Sequence, residues 1–499
     1  MSQEIELKLS ASPAQLKQVL NSTLIRAHAL SPPRSETLHS VYFDDDALEL
    51  TRRGLALRLR KRGRRWLQTL KTRGESQAGL HSRGEFETSA PGGALDLDAL
   101  AALEGAAELV EPLRVLELKP LFATEFRRTH VQLQLEDGGR AELAFDSGEI
   151  RAGDQVDPIC EIEIELLEGR PAEVFALARE LLQLAPLKLD NRSKAQRGFA
   201  LLAPLAAEPV RSRASELEGG MPAQHACARL LAAALEQLEA NEAGLIAAED
   251  PEFLHQARVA LRRLRALLRL FSPLLTLAEI EALKPRLRAL GQALGACRDW
   301  DVLCTETLPR LLSGMIEPEP MAPLVQRVGA EREVAQQAVR ACLDASDYTD
   351  LKLVLGQLIA QLAEAADEAA PTLADFARER LHKAARRVRR YHASHDPGCI
   401  DSLHGLRIEV KKLRYACDVL GSVFGERKQR RYVRHLSELQ QLLGDFNDAA
   451  VARQCVASLE GVEPFARGVV DGYAAARTEA ARAALSHAWA EFEKARRFW

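Results

Sequence analysis

Long apolar runs are missing from this chain. No stretch reaches the roughly 18 uncharged apolar residues that a helix needs to span a bilayer, so no membrane contact is expected. The start, Met1-Ser2-Gln3-Glu4-Ile5-Glu6-Leu7-Lys8, is charged at once and lacks the apolar centre of a signal peptide. Paired cysteines are missing too. The eight cysteines are scattered with no CxxC among them, which argues against a disulfide framework or zinc ribbon and fits a reducing cytoplasm. A net basic excess is absent: the formal charge is −4, so nucleic acid is not an expected partner, and any anion binding must come from local clustering. Aromatics are only 5% of residues, and no cluster of them would plainly stack an adenine or a thiazole. A phosphate-cradling glycine loop is absent as well. The nearest approach, Gly74 with Gly79 and Gly84, lacks the lysine and helix that follow in a P-loop.

What is present excludes wholesale disorder. Hydrophobic residues are 47% and charged residues 28% of 499, enough apolar material for about two to four domains. The texture changes near residue 205. Before it, segments at 4–9, 39–43, 55–60, 66–71, 85–88, 123–135, 140–145 and 159–166 alternate in period two, separated by turn residues. That pattern predicts an antiparallel strand-rich domain at 1–203, interrupted by helices at 12–20 and 171–184. Residues 204–222 read as a linker. From 223 to 499 apolar residues recur at three-four spacing, which predicts an all-α region. It contains a repeat. Leu254 to Arg265 lines up with Leu403 to Arg414, and Leu294 to Val302 with Leu443 to Val451, both at an offset of 149 residues. Two separated motifs sharing one offset indicate a duplicated helical unit.

The strands carry charge on one face. Glu4, Glu6 and Lys8 alternate with Ile5, Leu7 and Leu9; Glu161, Glu163 and Glu165 alternate with Ile162, Ile164 and Leu166. Arg58 and Arg60, Thr69 and Lys71, Glu85 and Glu87, and Glu142 and Asp146 repeat the arrangement. Three glutamates in a row on one strand face repel each other, and packing does not ask for that. A divalent metal does, because Mg²⁺ and Mn²⁺ take hard oxygen ligands. Guanidinium and ammonium groups pair with phosphate oxygens. Together the two sets suggest a metal-bound polyphosphate held between them. His81, read as a loop histidine with no visible partner, is a possible general base.

At these residues the chain resembles the CYTH superfamily, the triphosphate tunnel metalloenzymes. Glu4-Ile5-Glu6-Leu7-Lys8 matches the ExExK signature. Family-like blocks follow in order at Val41 to Asp44, Leu57 to Arg60, Gln68 to Lys71, Arg83 to Glu87, Phe126 to Thr129, Phe145 to Gly148, Glu161 to Leu166 and Ser193 to Gly198. The resemblance implies a closed eight-stranded antiparallel β-tunnel that acts on triphosphates with Mg²⁺ or Mn²⁺. It implies metal-binding carboxylates at Glu4, Glu6, Asp146, Glu161, Glu163 and Glu165. Lys8, Arg58, Arg60, Lys71, Lys194 and one or both of Arg127 and Arg128 would hold the phosphates. Alternation does not decide which arginine of that pair points inward.

The helical half carries basic stripes. His255, Arg258, Arg262, Arg265 and Arg269 are spaced 3, 4, 3 and 4, and His404, Arg407, Lys411 and Arg414 repeat the spacing. A third run, Arg380, Lys383, Arg386, Arg387 and Arg390, precedes the second copy. A solvated helix face normally mixes signs, and like charges at i,i+4 destabilise a helix. Anion binding is therefore expected. This half resembles the CHAD domain, which implies two four-helix units about a pseudo-twofold axis and a basic pore that binds inorganic polyphosphate. His255 and His404 would be metal ligands or phosphate contacts. Asp299 and Asp448 would orient the arginines, although Asn447 stands where the first copy has Arg298.

The fold expected is thus α+β, a β-tunnel followed by a duplicated helical bundle. The expected activity is a metal-dependent inorganic triphosphatase, with polyphosphate bound by the helical half. The alternatives are a class IV adenylyl cyclase, a thiamine triphosphatase, or a non-catalytic polyphosphate-binding protein.

Overall fold

The computed structural model describes residues 2–499 except 73, 79, 204–206, 214, 248–249, 366–369 and 396–398. Gly79 and part of the 204–222 segment therefore lie outside the described residues. The chain forms two compact units. One comprises Met1–Ala207 with Ala345–Gln361, the other Glu208–Asp344 with Leu362–Trp499.

Ten strands build the first unit: β1 (Ser2–Ser10), β2 (Arg34–Asp44), β3 (Leu55–Arg62), β4 (Arg65–Thr72), β5 (Glu75–Gln77), β6 (Leu80–Ser89), β7 (Lys119–Gln134), β8 (Arg140–Ala152), β9 (Gln155–Glu168) and β10 (Lys188–Leu189). Their order is β10-β1-β9-β8-β7-β2-β3-β4-β6-β5, and β1 also pairs with β6. That extra pairing closes eight strands into an antiparallel barrel, with short β5 and β10 outside the ring. Closure makes one face of every long strand interior. Leu57, Leu70 and Phe86 point outward and are buried against Leu100, Val110 and Leu113 of the 97–113 segment. The charged residues between them point into the lumen. His81 lies on β6, opposite Glu6, and not on a loop as its sequence context suggested.

Among the described residues, helices of eight or more residues are α1 (Pro13–Leu20), α2 (Pro171–Leu184), α3 (Lys194–Leu202), α4 (Ala223–Ala240), α5 (Pro251–Leu270), α6 (Leu277–Val302), α7 (Ala322–Asp344), α8 (Ser346–Glu364), α9 (Leu373–Ser394), α10 (Ile400–Leu420), α11 (Glu426–Ser458) and α12 (Pro464–Lys494). No described helix is long and apolar enough to cross a membrane.

Helix α3 starts at a capping box in which the Ser193 hydroxyl accepts from the Gln196 backbone N–H and the Gln196 side chain caps Ser193 in return. This fixes Lys194 at the first turn, aimed into the barrel. The helix then packs Phe199 edge-on to Phe122, centroids 5.0 Å apart, and Phe122 stacks on Tyr42 at 4.6 Å. Gly198 is required by this approach, since a Cβ there would lie 2.1 Å from the Phe122 ring. Helix α8 follows α7 in sequence, yet its 346–361 portion belongs to the first unit. Its Asp350 accepts a 2.9 Å bond from Arg179 Nε of α2.

In the second unit the duplication is written in the packing. Helix α5 buries Leu254, Ala257, Leu261, Leu264 and Leu268; α10 buries Leu403, Leu406, Val410, Leu413 and Cys417. Helix α6 buries Leu283, Leu287, Leu290, Leu294 and Cys297; α11 buries Tyr432, Leu436, Leu439, Leu443 and Phe446. Each residue of the second list in a pair sits 149 positions after its counterpart. The apolar stripe of each helix fixes its core side, which leaves the basic stripe on another face.

Candidate active site and basic cluster

The lumen holds acids and cations in register. Glu6 of β1, Glu165 of β9 and Glu142 of β8 are directly opposite one another across three adjacent strands. Two residues along, Lys8 faces Glu163, and further on Glu161 faces Asp146, which faces Arg128. Asp146, Glu161 and Glu163 are all buried and bring carboxylate oxygens within 4.8 Å of one another.

Cations already compensate this inner trio. Asp146 accepts a bidentate pair from Arg128, Nε at 2.8 Å and Nη2 at 2.7 Å, and a 2.7 Å bond from Lys194 Nζ. Lys8 donates to Glu161 at 3.1 Å and also to Glu163. Lys194 donates to Glu163 at 2.9 Å and also to Glu161. Arg197 adds a 3.1 Å bond to Glu161. Burial alone would raise the Glu163 carboxyl, but Lys194, Lys8 and Arg128 outweigh it and hold it well below the ordinary carboxylate range.

The outer row is different. Lys71 donates to Glu4 at 3.0 and 2.7 Å, and Arg83 donates to Glu4 at 3.2 Å and to Glu6. Glu165 is left facing acids. Burial, followed by the nearby charges of Glu4, Glu142 and Glu6, pushes its carboxyl up to about 7. Excess negative charge in the lumen is concentrated there.

Excess positive charge lies on β3. Arg58 is buried, and its Nη2 is 3.3 Å from Glu85, while its Nε has no partner. Arg60 donates from Nε to Ser40 Oγ at 3.0 Å, and among the described residues no carboxylate lies within ion-pair distance. Burial, then Arg58 and Arg128, pulls its guanidinium down to about 10. His81 is 7% exposed with Nε2 unpartnered, and burial pushes it down to about 4, so the imidazole is neutral.

The lumen thus brings together Glu4, Glu6, Lys8, Arg58, Arg60, Lys71, Arg128, Asp146, Glu161, Glu163, Glu165 and Lys194. Arg127 is not among them. It is exposed on the opposite face of β7, because Arg128 takes the inward position opposite Asp146. The expectation that left Arg127 in the set is corrected on that ground. Sequence reasoning missed Arg83 and Arg197. Arg83 shares the face of Glu85 at a period of two, which was the available signal; Arg197 is one helical turn from Lys194.

In the second unit the stripes of α5 and α10 converge. Burial, then Arg262, Arg407, Arg258 and Arg414, pushes the Lys411 ammonium down to about 7. Those five cations therefore share one cluster. Arg262 and Arg414 both lie over the ring of Tyr415, 5.4 and 6.0 Å from its centroid. Arg258 Nη1 donates to the Leu294 carbonyl at 2.8 Å, and Gly295 makes room, since its Cβ would lie 3.1 Å from that nitrogen. The Nε atoms of Arg262 and Arg407 are buried without a hydrogen-bond partner, while Arg414 Nε lies 3.5 Å from Asp418 Oδ2. Five cations outnumber the acids near them, Asp299, Asp418 and Asp448, and two of the buried donors have no hydrogen-bond partner. His255 is half-buried, and burial, with Arg298, Arg262 and Arg258 against Glu252, lowers it. His404 and Arg265 are exposed. Asp299 and Asp448 lie near each other and near Arg258 and Arg407 respectively; burial raises both carboxyls.

Comparison with known proteins accords with this division. Residues 2–199 match the CYTH domain family, and residues 229–457 match the CHAD domain family. An inorganic triphosphatase of Haemophilus influenzae is 34% identical over 204 residues, covering 40% of this chain and 55% of that protein. An uncharacterized protein of Mycobacterium tuberculosis is 26% identical over 262 residues, 50% of each chain. The chain spans about half the length of the curated relatives it matches. The crystal structure of the CHAD domain from the plant Ricinus communis is 30% identical, with a TM-score of 0.52, and covers 58% of this chain and 98% of that one. The chain therefore carries a CYTH domain, closed as an eight-stranded β-tunnel, joined to a helical CHAD domain.

Proposed function

We propose that the tunnel hydrolyses inorganic triphosphate to diphosphate and phosphate with a divalent metal, Mg²⁺ or Mn²⁺, and that the helical unit binds inorganic polyphosphate. The observation that carries the first part is the polarised lumen. Unbalanced carboxylates at Glu165 and unbalanced guanidinium charge at Arg60 occupy one enclosure. A metal-bound triphosphate answers both.

The carboxylates fit a hard divalent cation. Glu4, Glu6 and Glu165, with Asp146, Glu161 and Glu163, would hold it, and the raised Glu165 carboxyl is the strain that such a charge relieves. When bound, the metal neutralises phosphoryl charge and acidifies the attacking water. The rest belongs to the chain. Arg58 and Arg60, with Lys71, bind phosphate oxygens from the β3 and β4 side; Lys8, Arg128 and Lys194 bind them from the inner trio's side. These fixed cations orient the triphosphate for in-line attack and stabilise the charge that spreads over the transferred group. Tyr42, buried and stacked on Phe122, lies beside Arg58, Arg60 and Lys194, so these cations act next to apolar surface, where charge contacts are stronger.

Phosphate release from tripolyphosphate, ATP and thiamine triphosphate, each with and without Mg²⁺, tests the tunnel. Mg²⁺-dependent preference for tripolyphosphate supports it; pyrophosphate release from ATP points to a cyclase instead. Glu6→Ala is expected to abolish turnover, and an active Glu6→Ala enzyme refutes the assignment. Charge reversal at Arg262 and Lys411 is expected to remove polyphosphate binding while leaving hydrolysis intact.

A further inference from the structure

Helix α9 carries a basic stripe that the paired stripes of α5 and α10 leave unexplained. From Arg378 to Arg390 it has seven Lys or Arg and one acid, Glu379. Arg380, Lys383 and Arg387 follow one another at three and four residues, so they share a face.

That face borders the end of the α5 stripe. Arg380 Nη2 lies 3.4 Å from the Arg269 carbonyl oxygen. Arg387 Nε is 4.0 Å from Glu409 on α10. Arg265 and Arg269, the last two members of the α5 stripe, are exposed there. Arg265 and Arg387 lie close enough to Arg269 to repel its guanidinium, and Glu409 close enough to attract it. Burial and Arg387 lower Arg380 despite Glu379. The cations of two helices thus repel one another across this junction. Two acids are within reach: Glu409, which Lys412 also engages, and Glu379, which is 4.0 Å from Lys383. A solvated face of an ordinary helix would carry more compensating acids. The α5 stripe from Arg258 to Arg269 is about 16 Å long, and the α9 run from Arg380 to Arg390 is about 15 Å long, at 1.5 Å per residue.

We propose that the α9 stripe is a second segment of the anion track, continuing from Arg269 through Arg387 and Lys383, and that only polyphosphate too long for the α5–α10 cluster occupies it. The inference rests on the polyphosphate reading of the helical unit. It makes α9 the determinant of chain-length preference. The inner cluster takes a short run of phosphates, and the excess chain lies along α9, exchanging the weak contacts of Arg387 and Lys383 with Glu409 and Glu379 for phosphate oxygens.

The test is binding of the full chain to tripolyphosphate, a short-chain and a long-chain polyphosphate fraction, for wild type and the Lys383→Ala/Arg387→Ala double variant. Alanine preserves the helix. Long-chain binding is expected to weaken at least about fivefold, by two exposed ion contacts. The slope of its logarithm against log salt should fall by roughly two, one per lost phosphate contact. Tripolyphosphate and short-chain binding should be unchanged. If the double variant matches wild type on the long chain, the α9 track is refuted. If all three ligands weaken equally, α9 is part of the inner cluster and chain-length selection is refuted. If wild type binds none of the three, the polyphosphate reading itself falls.

Discussion

Replacing Lys411 by methionine should make the helical unit more stable and a poorer anion binder. The ammonium sits among Arg262, Arg407, Arg258 and Arg414, and loses its proton near pH 7, against an ordinary 10.5. At 1.36 kcal/mol per pH unit, that gap corresponds to at most about 5 kcal/mol of unfavourable free energy in the folded state. Solvent reaching the partly open cluster reduces it, so about 2–4 kcal/mol is the expected gain for Lys411→Met. The sign of the pH dependence follows. Between pH 7 and 10.5 the unfolded chain holds a proton that the folded chain has released, so wild-type stability rises as pH climbs through that window. Below pH 7 both states are protonated and the full cost remains. The gain from Lys411→Met should therefore be largest at pH 6 and fade toward pH 10. Urea unfolding followed by tryptophan fluorescence reads this, because three of the four tryptophans, Trp300, Trp489 and Trp499, lie in the helical unit. Polyphosphate should bind wild type with proton uptake near neutral pH, and the variant without it. A variant less stable than wild type at pH 6, or a stability difference independent of pH, would refute the crowded-cation account of this cluster.

Three further outcomes check the tunnel. Arg60→Ala should lower kcat/KM roughly tenfold to a hundredfold, the worth of a lost charge-assisted hydrogen bond, while Arg127→Ala on the outer face should leave it unchanged. Mg²⁺ should raise the melting temperature of the tunnel more at pH 8 than at pH 5.5. The Glu165 carboxyl, pushed up to about 7, is ionised at the first and protonated at the second, and Glu165→Gln should remove the difference. Gly198→Ala forces a Cβ to 2.1 Å from Phe122 and should cost about 1–3 kcal/mol, read as a lower melting temperature, with reduced turnover because α3 also carries Lys194.

The lumen was legible in sequence wherever apolar and charged residues alternate strictly. Glu4, Glu6 and Lys8 on β1 and Glu161, Glu163 and Glu165 on β9 are flanked by aliphatic residues that can face only the outer core. The rule failed at Glu125-Phe126-Arg127-Arg128-Thr129-His130, where polar residues fill both faces. There the partner strand decides: Asp146 stands opposite Arg128, and no pattern within β7 contains that information. Helix α8 shows a second limit. Its helical period was readable, but it is buried nearly all round, so no polar face marks which unit it joins. The stripes of α5 and α10 were readable as stripes. Their convergence was not, because it depends on how two helices 149 residues apart pack, and on Tyr415, whose counterpart in the first copy is Ala266.

Under the proposed function, the two domains meet phosphate with opposite electrostatic preparations. In the tunnel most cations have carboxylate partners before any ligand arrives: Lys8 with Glu161, Lys71 with Glu4, Arg128 and Lys194 with Asp146. These carboxylates stand where phosphate oxygens would otherwise go. Triphosphate must exchange with them, and the displaced carboxylates are those that a divalent cation can take up, so metal and substrate should bind cooperatively. In the helical cluster the buried Nε donors of Arg262 and Arg407 have no hydrogen-bond partner. Polyphosphate bound there would add anion to a cluster in which cations outnumber acids, and would displace the counterions that solution supplies. Salt should therefore weaken polyphosphate binding steeply, with a log–log slope of several, whereas the KM for Mg²⁺-triphosphate should change far less over the same range. Equal salt slopes at the two sites would mean that the carboxylates of the tunnel do not buffer its charge, and would refute this account of the proposed preference for a metal-bound substrate.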